Sequence, residues 1–217
     1  MRDVYDFAKY YIKNGADSLP NTYDGNMKLQ KLLVFADFAS IVEYGEPLFN
    51  EDVLAFQNGC VVEKVRLRYK NDYNGFKRDS ELFQPDFTGK EYDVLNTTLG
   101  IFGKVSAREL SEVNHTFRFW AEAYHKGTDD TGFHDKKYSV VNMTGYSEDI
   151  ERMKEIVKAY KDSLKDAVST EVVNGITFYY DGLELTDDLL EELYKFSLSA
   201  EDNAYSIYLD EEGLVIY

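Results

Sequence analysis

The residues between 115 and 135 carry the side chains best suited to chemistry. Glu122 and His125 lie one helical turn apart, so both could face one metal ion, with His115 and the pair His134-Asp135 as further ligands. A two-metal helical centre needs several such carboxylate-histidine pairs, and the sequence offers one. Asp129-Asp130 would suit paired acid-base work, but Gly127-Thr128 and Thr131-Gly132 flank them in the manner of a solvated turn. Cys60, the sole cysteine, follows Asn58-Gly59 and reads as a structural residue, since a nucleophilic thiol needs a partner that the sequence does not place beside it. No phosphate-cradling glycine loop, nucleophile elbow or HExxH helix is present. The expectation is a protein without catalytic residues, metal or cofactor.

The elements that would hold these groups are organised around residues 26–43. Leu29, Leu32, Leu33 and Ala36 recur at helical spacing, and Phe35, Phe38, Ile41 and Val42 supply a second apolar face. Only Lys28, Gln30, Lys31, Asp37, Ser40 and Glu43 interrupt the pattern. A helix apolar on nearly every side is normally wrapped by other elements, and this one is read as the central helix of the core. The charges at Lys28, Lys31 and Asp37 argue against a membrane span.

Other elements follow from periodicity and end signals. Val4, Phe7, Ala8, Tyr11 and Ile12 form the stripe of a helix over 3–14, stopped at Gly15. Leu48-Phe49 and Val53 to Phe56 suggest a small hairpin, and Cys60 to Tyr69 a helix with Val61, Val65 and Tyr69 inward. Lys64, Arg66, Arg68 and Lys70 read as a solvated basic face, and Asn71 to Asp86 as an exposed connection. Capping boxes at Thr88/Glu91 and Ser106/Glu109 open two helices, the first closed by Gly103, and Phe117 to Tyr124 forms another. Ser147 caps a longer helix to about Asp166 with Ile150, Met153, Val157, Tyr160 and Leu164 inward.

After residue 166 the period changes. Val172-Val173-Asn174-Gly175-Ile176-Thr177 is an Asn-Gly hairpin signal, Thr186 caps a helix beginning Asp187-Asp188, and Tyr205 to Leu209 with Leu214 to Tyr217 forms a second hairpin. The predicted fold is mainly α: a helical body at 1–166 around a central buried helix with a small hairpin, and an acidic ββαββ appendage at 167–217.

Charge supports that division. The chain holds 24 Lys and Arg against 40 Asp and Glu, a formal net charge of -16. Residues 166–217 contribute thirteen acids and one base, a net of -12. Such a chain repels phosphate backbones, which makes direct nucleic-acid binding a poor expectation and a basic protein partner a better one. An apolar content of 44% indicates a folded protein, and without a signal peptide, long apolar run or lipidation motif it reads as cytoplasmic.

Three landmarks carry a resemblance. They are Lys28-Leu29-Gln30-Lys31-Leu32-Leu33-Val34-Phe35-Ala36; Pro47-Leu48-Phe49 with Ala55-Phe56 and Gly59-Cys60-Val61-Val62; and Leu110-Ser111 with His115 and Trp120. Together they resemble the Panacea domain family of SocA-like antitoxins, which includes phage-associated GepA-type proteins. The likeness covers about residues 3–165, with Phe56 where the family has Trp and Cys60 where it has Pro. It implies a bacterial helical domain that neutralises a cognate toxin by binding it, and some relatives resemble adaptors that deliver the toxin to an AAA+ protease. The candidate partner-binding residues are Phe56, His115 and Trp120 in the body and Asp187, Asp188, Glu191 and Glu212 in the acidic module. Two rival readings are an acidic nucleic-acid mimic of phage or mobile-element origin, and a metal-dependent enzyme using His115, Glu122 and His125.

Overall fold

A computed structural model describes residues 2–165, 168–210 and 213–217, and Glu212 therefore lies outside the described residues. The chain divides into two compact units, Met1–Tyr160 and Lys161–Tyr217. It is mainly helical, with two small sheets.

The first unit opens with α1 (Val4–Lys13), capped by the Asp3 carboxylate on the Tyr5 amide. The central helix α2 (Tyr23–Tyr44) is capped by Thr22 and stops at Gly45, whose positive φ of 75° lets the chain turn where a side chain would be strained. Strands β1 (Val53–Phe56) and β2 (Gly59–Val62) pair antiparallel, with Phe56 opposite Gly59 and Gln57-Asn58 as the loop. Helices α3 (Glu63–Asn71), α4 (Tyr73–Leu82), α5 (Gly89–Phe102), α6 (Ala107–His115), α7 (Arg118–Gly127) and α8 (Ser147–Lys165) follow, the unit boundary falling within α8 after Tyr160. Both capping boxes are formed, at Thr88/Glu91 and Ser106/Glu109. Helix α7 is capped from α8 instead: the buried Asp149 carboxylate accepts from the Arg118 and Phe119 amides at 3.0 and 2.8 Å.

Three local expectations are corrected. Residues 73–82 are helical, because Tyr73, Phe76 and Ser80 share a buried face and Asp72 accepts from the Gly75 amide at 3.1 Å, making a start where the composition suggested a connection. The hairpin joins Val53–Phe56 to Gly59–Val62, and helix α3 begins only at Glu63; Leu48-Phe49 is buried but belongs to no strand. Leu164 is exposed rather than part of the buried stripe of α8.

The core centres on α2, where Leu29, Leu32, Leu33, Val34, Phe35, Ala36 and Phe38 are fully buried. Phe35 stacks on Phe102 at 4.5 Å, and Phe38 meets Phe119 edge-on at 5.1 Å. Burying a side chain of this size contributes about 1.5–3 kcal/mol, which is why α2 orders the helices around it. At 22 residues α2 is long, yet among the described residues no helix is long and apolar enough to cross a membrane.

The second unit contains β3 (Ser169–Val173), β4 (Ile176–Tyr180), α9 (Asp187–Ser197), β5 (Ala204–Asp210) and β6 (Gly213–Ile216). The sheet order is β3-β4-β5-β6. The outer pairs are antiparallel and β4-β5 is parallel, with α9 in the crossover. Phe178, Leu193 and Ile207 form its buried centre.

Candidate functional site

Five polar side chains of α2 are buried, and each holds the main chain of a segment next to the helix. Lys28 Nζ donates to Gly103 O at 2.7 Å, and Lys31 Nζ donates to Cys60 O at 2.9 Å. Gln30 Oε1 accepts from the Val62 amide at 2.9 Å, Asp37 accepts from the Leu48 amide at 2.8 Å, and Ser40 Oγ donates to Glu46 O at 2.8 Å. A backbone group buried without a partner costs about 1–3 kcal/mol, so an all-round apolar helix can be wrapped by irregular segments only if it supplies such partners itself. The apparent interruptions of the apolar pattern are the joints of the fold. Glu43, the sixth, is exposed.

Two of these joints, from Lys31 and Gln30, and several other contacts converge on the β1-β2 hairpin. Three carbonyls within four consecutive residues are each engaged by a side chain: Ala55 O by His134 Nε2 at 2.9 Å, Phe56 O by Trp120 Nε1 at 2.9 Å, and Asn58 O by Ser111 Oγ at 3.0 Å. Because a carbonyl oxygen only accepts, His134 carries a proton on Nε2. Cys60 is held from both sides, its amide by Asn114 Oδ1 at 2.7 Å and its carbonyl by Lys31. Gly59 has φ +92°, and a Cβ there would lie 2.6 Å from Asn114 Oδ1 and 2.8 Å from Lys31 Nζ. Only glycine fits.

Rings support the hairpin from behind. His115 stacks on Trp120 at 3.9 Å, Trp120 on Tyr124 at 5.3 Å, and Tyr124 on His134 at 4.7 Å. A two-stranded hairpin is marginal alone, and here it is fixed by side chains from α2, α6, α7 and the segment at 134. Its tip residues Gln57 and Asn58 are exposed, with Phe56 half-buried beside them.

Burial sets the electrostatics. The Lys31 ammonium, 1% exposed and with no carboxylate paired to it among the described residues, is pushed down to about 8. The Cys60 thiol is pushed up to about 12 by burial, with Lys31 and Asn114 opposing. His115 is lowered by burial and then by Lys31. Asp37 is raised to about 7 by burial, which the Leu48 and Phe49 amides only partly offset.

The predicted residues separate under this geometry. His115, Trp120 and Phe56 meet at the hairpin, whereas Glu122 sits on the surface of α7 with Arg118, 3.4 Å away. His134 holds Ala55, and its Nδ1 lies 2.9 Å from Thr128 Oγ1. Asp129 turns its own loop, accepting from the Thr131 and Phe133 amides. Among the described residues, no three His, Cys, Asp or Glu side chains gather as a metal would require. Asp187, Asp188 and Glu191 are exposed on α9, with Glu191 2.8 Å from Lys195. Three of the four basic side chains of α3 are paired, Lys64 with Asp3 and Glu51, Arg66 with Glu63, and Arg68 with Asp79, while Lys70 is exposed as a solvated face would have it.

Lys31, Gln30, Ser111 and Asn114 were not singled out as functional residues from the sequence. The usable signal was polar side chains inside a helix with no polar face, since such groups must find partners.

Residues 29–121 match the family model described as antitoxin SocA-like, Panacea domain. That span contains most of α2, the hairpin, α6 and Trp120. The comparisons with curated proteins and with solved structures found no match.

Proposed function

We propose that this chain, with its SocA-like Panacea domain, neutralises a cognate toxin by direct protein-protein binding, and that the tip of the clamped hairpin is the gripping element. The observation that carries this reading is the fixing of Ala55, Phe56, Asn58 and Cys60, all inside the span matching the antitoxin family, by side chains from four separate segments. A loop held in one conformation loses little entropy on binding, so the clamp supports tight association without catalytic chemistry. Phe56, Gln57 and Asn58 then touch the toxin. Trp120 and His115 act as positioning residues, because the Trp120 ring N–H donates to the hairpin's own Phe56 carbonyl and the His115 ring stacks on Trp120.

The acidic second unit complements this grip. Asp187, Asp188 and Glu191 present negative charge to a basic toxin and speed the encounter, a contribution that salt screens. Delivery of the bound toxin to an AAA+ protease is a further role that the same surface would serve.

Co-expression with the product of the adjacent open reading frame tests the reading. The expected result is a complex that co-purifies and whose formation slows as salt rises. A product that is harmless alone and does not co-purify contradicts it.

A further inference from the structure

The hairpin and α2 enclose a cleft of about 490 Å3, a volume within the ordinary range for small-molecule sites. Its lining has an unexpected sign. The chain has a formal net charge of -16, yet among the described residues the cleft is lined by Lys31, Arg66 and Lys70 and by no aspartate or glutamate. Lys31 is fully buried and makes one hydrogen bond, to Cys60 O, although an ammonium has three N–H groups to place. Arg66 lies over the Phe56 ring at 5.4 Å and shares the Glu63 carboxylate with Lys136. A buried cation without a partner carboxylate is costly unless an anion completes it.

The remaining walls are flat or able to hydrogen-bond. Tyr23 is 68% exposed at the mouth, where its hydroxyl oxygen accepts from Asn58 Nδ2 at 2.6 Å, and Phe56 is half-buried opposite Gly59. Such rings can stack on a planar group, while the exposed amides of Gln57 and Asn58 can meet its polar edge.

The geometry points to a binding site for a mononucleotide-sized anion, with its oxyanion towards Lys31 and Lys70 and its planar ring against Tyr23 and Phe56. This does not rest on the antitoxin reading. The residues belong to the same unit, but a small ligand and a toxin are separately detectable.

The test is calorimetric titration of the full chain with AMP, GMP, CMP and UMP at low salt, with the parent nucleosides and inorganic phosphate as separate arms. At least one monophosphate saturates the protein, at least about ten-fold more tightly than its nucleoside or phosphate, and high salt weakens it. Lys31→Met lowers affinity by about ten-fold or more, a separation equal to one decade of dissociation constant. Because loss of Lys31 also frees the hairpin, Lys70→Gln at the exposed rim and Phe56→Leu are made in parallel, and both weaken binding with the melting temperature unchanged. Failure of all four monophosphates to bind overturns the proposal. So does equal affinity for nucleoside or phosphate, or binding unaffected by both Lys70→Gln and Phe56→Leu.

Discussion

At the residue scale, Asp37 and Cys60 report on how deeply the central helix is enclosed. Asp37 is raised to about 7 from an ordinary value near 4, so the folded state holds a proton that the unfolded chain releases as pH climbs between those values. Stability from this group is therefore full below the unfolded value and falls as pH rises towards 7. Asp37→Asn should flatten that slope, removing a loss on the order of 3–4 kcal/mol between pH 4 and pH 7. Urea denaturation across the range checks it, and an unchanged slope contradicts the burial of the carboxyl. Cys60, fully buried and pushed up to about 12, should resist a thiol reagent at pH 8 in the native protein and react completely in denaturant. Fast native labelling would show that the hairpin opens readily. Such environments were illegible in the sequence: Lys28, Lys31 and Asp37 looked like breaks in an apolar pattern, and only the wrapping segments turn them into joints.

At the scale of elements, what the sequence made legible was whatever local signals decide. Capping boxes at Thr88 and Ser106, the stop at Gly45 and the Asn174-Gly175 turn between β3 and β4 all depend on neighbouring residues alone. The hairpin was misplaced because its strands are four residues long and depend on distant side chains for their backbone partners. Helix α4 was missed because Gly75 and polar neighbours hid a short face formed by Tyr73, Phe76 and Ser80. The clamp makes its own prediction. Asn114→Ala leaves the buried Cys60 amide without a partner and should destabilise the protein by about 1–3 kcal/mol. Trp120→Phe keeps an aromatic ring but removes the donor to Phe56 O, and should speed hydrogen exchange at residues 55–61 more than elsewhere. Uniform acceleration would mean that Trp120 supports the whole unit rather than the hairpin.

At the scale of the molecule, two units of different character share one chain: a helical unit containing the antitoxin-family match, and a smaller unit of high negative charge. The resemblance was readable because its landmarks are short and local; their convergence on one hairpin was not, since Lys31, Cys60 and Asn114 are distant in sequence. If the acidic unit steers the partner, replacing Asp187, Asp188 and Glu191 by Asn, Asn and Gln should slow association several-fold at low salt and change dissociation little. Stopped-flow binding reads both rates, and a change confined to dissociation would place those residues in the contact itself. The central claim is that a rigid hairpin grips a toxin, and a growth assay tests it most directly. Cells expressing the adjacent reading frame's product should stop growing, recover with the wild-type chain, and fail to recover with Phe56→Ala and Asn58→Arg combined, although that variant melts like the wild type. Full recovery with the combined variant would contradict the claim.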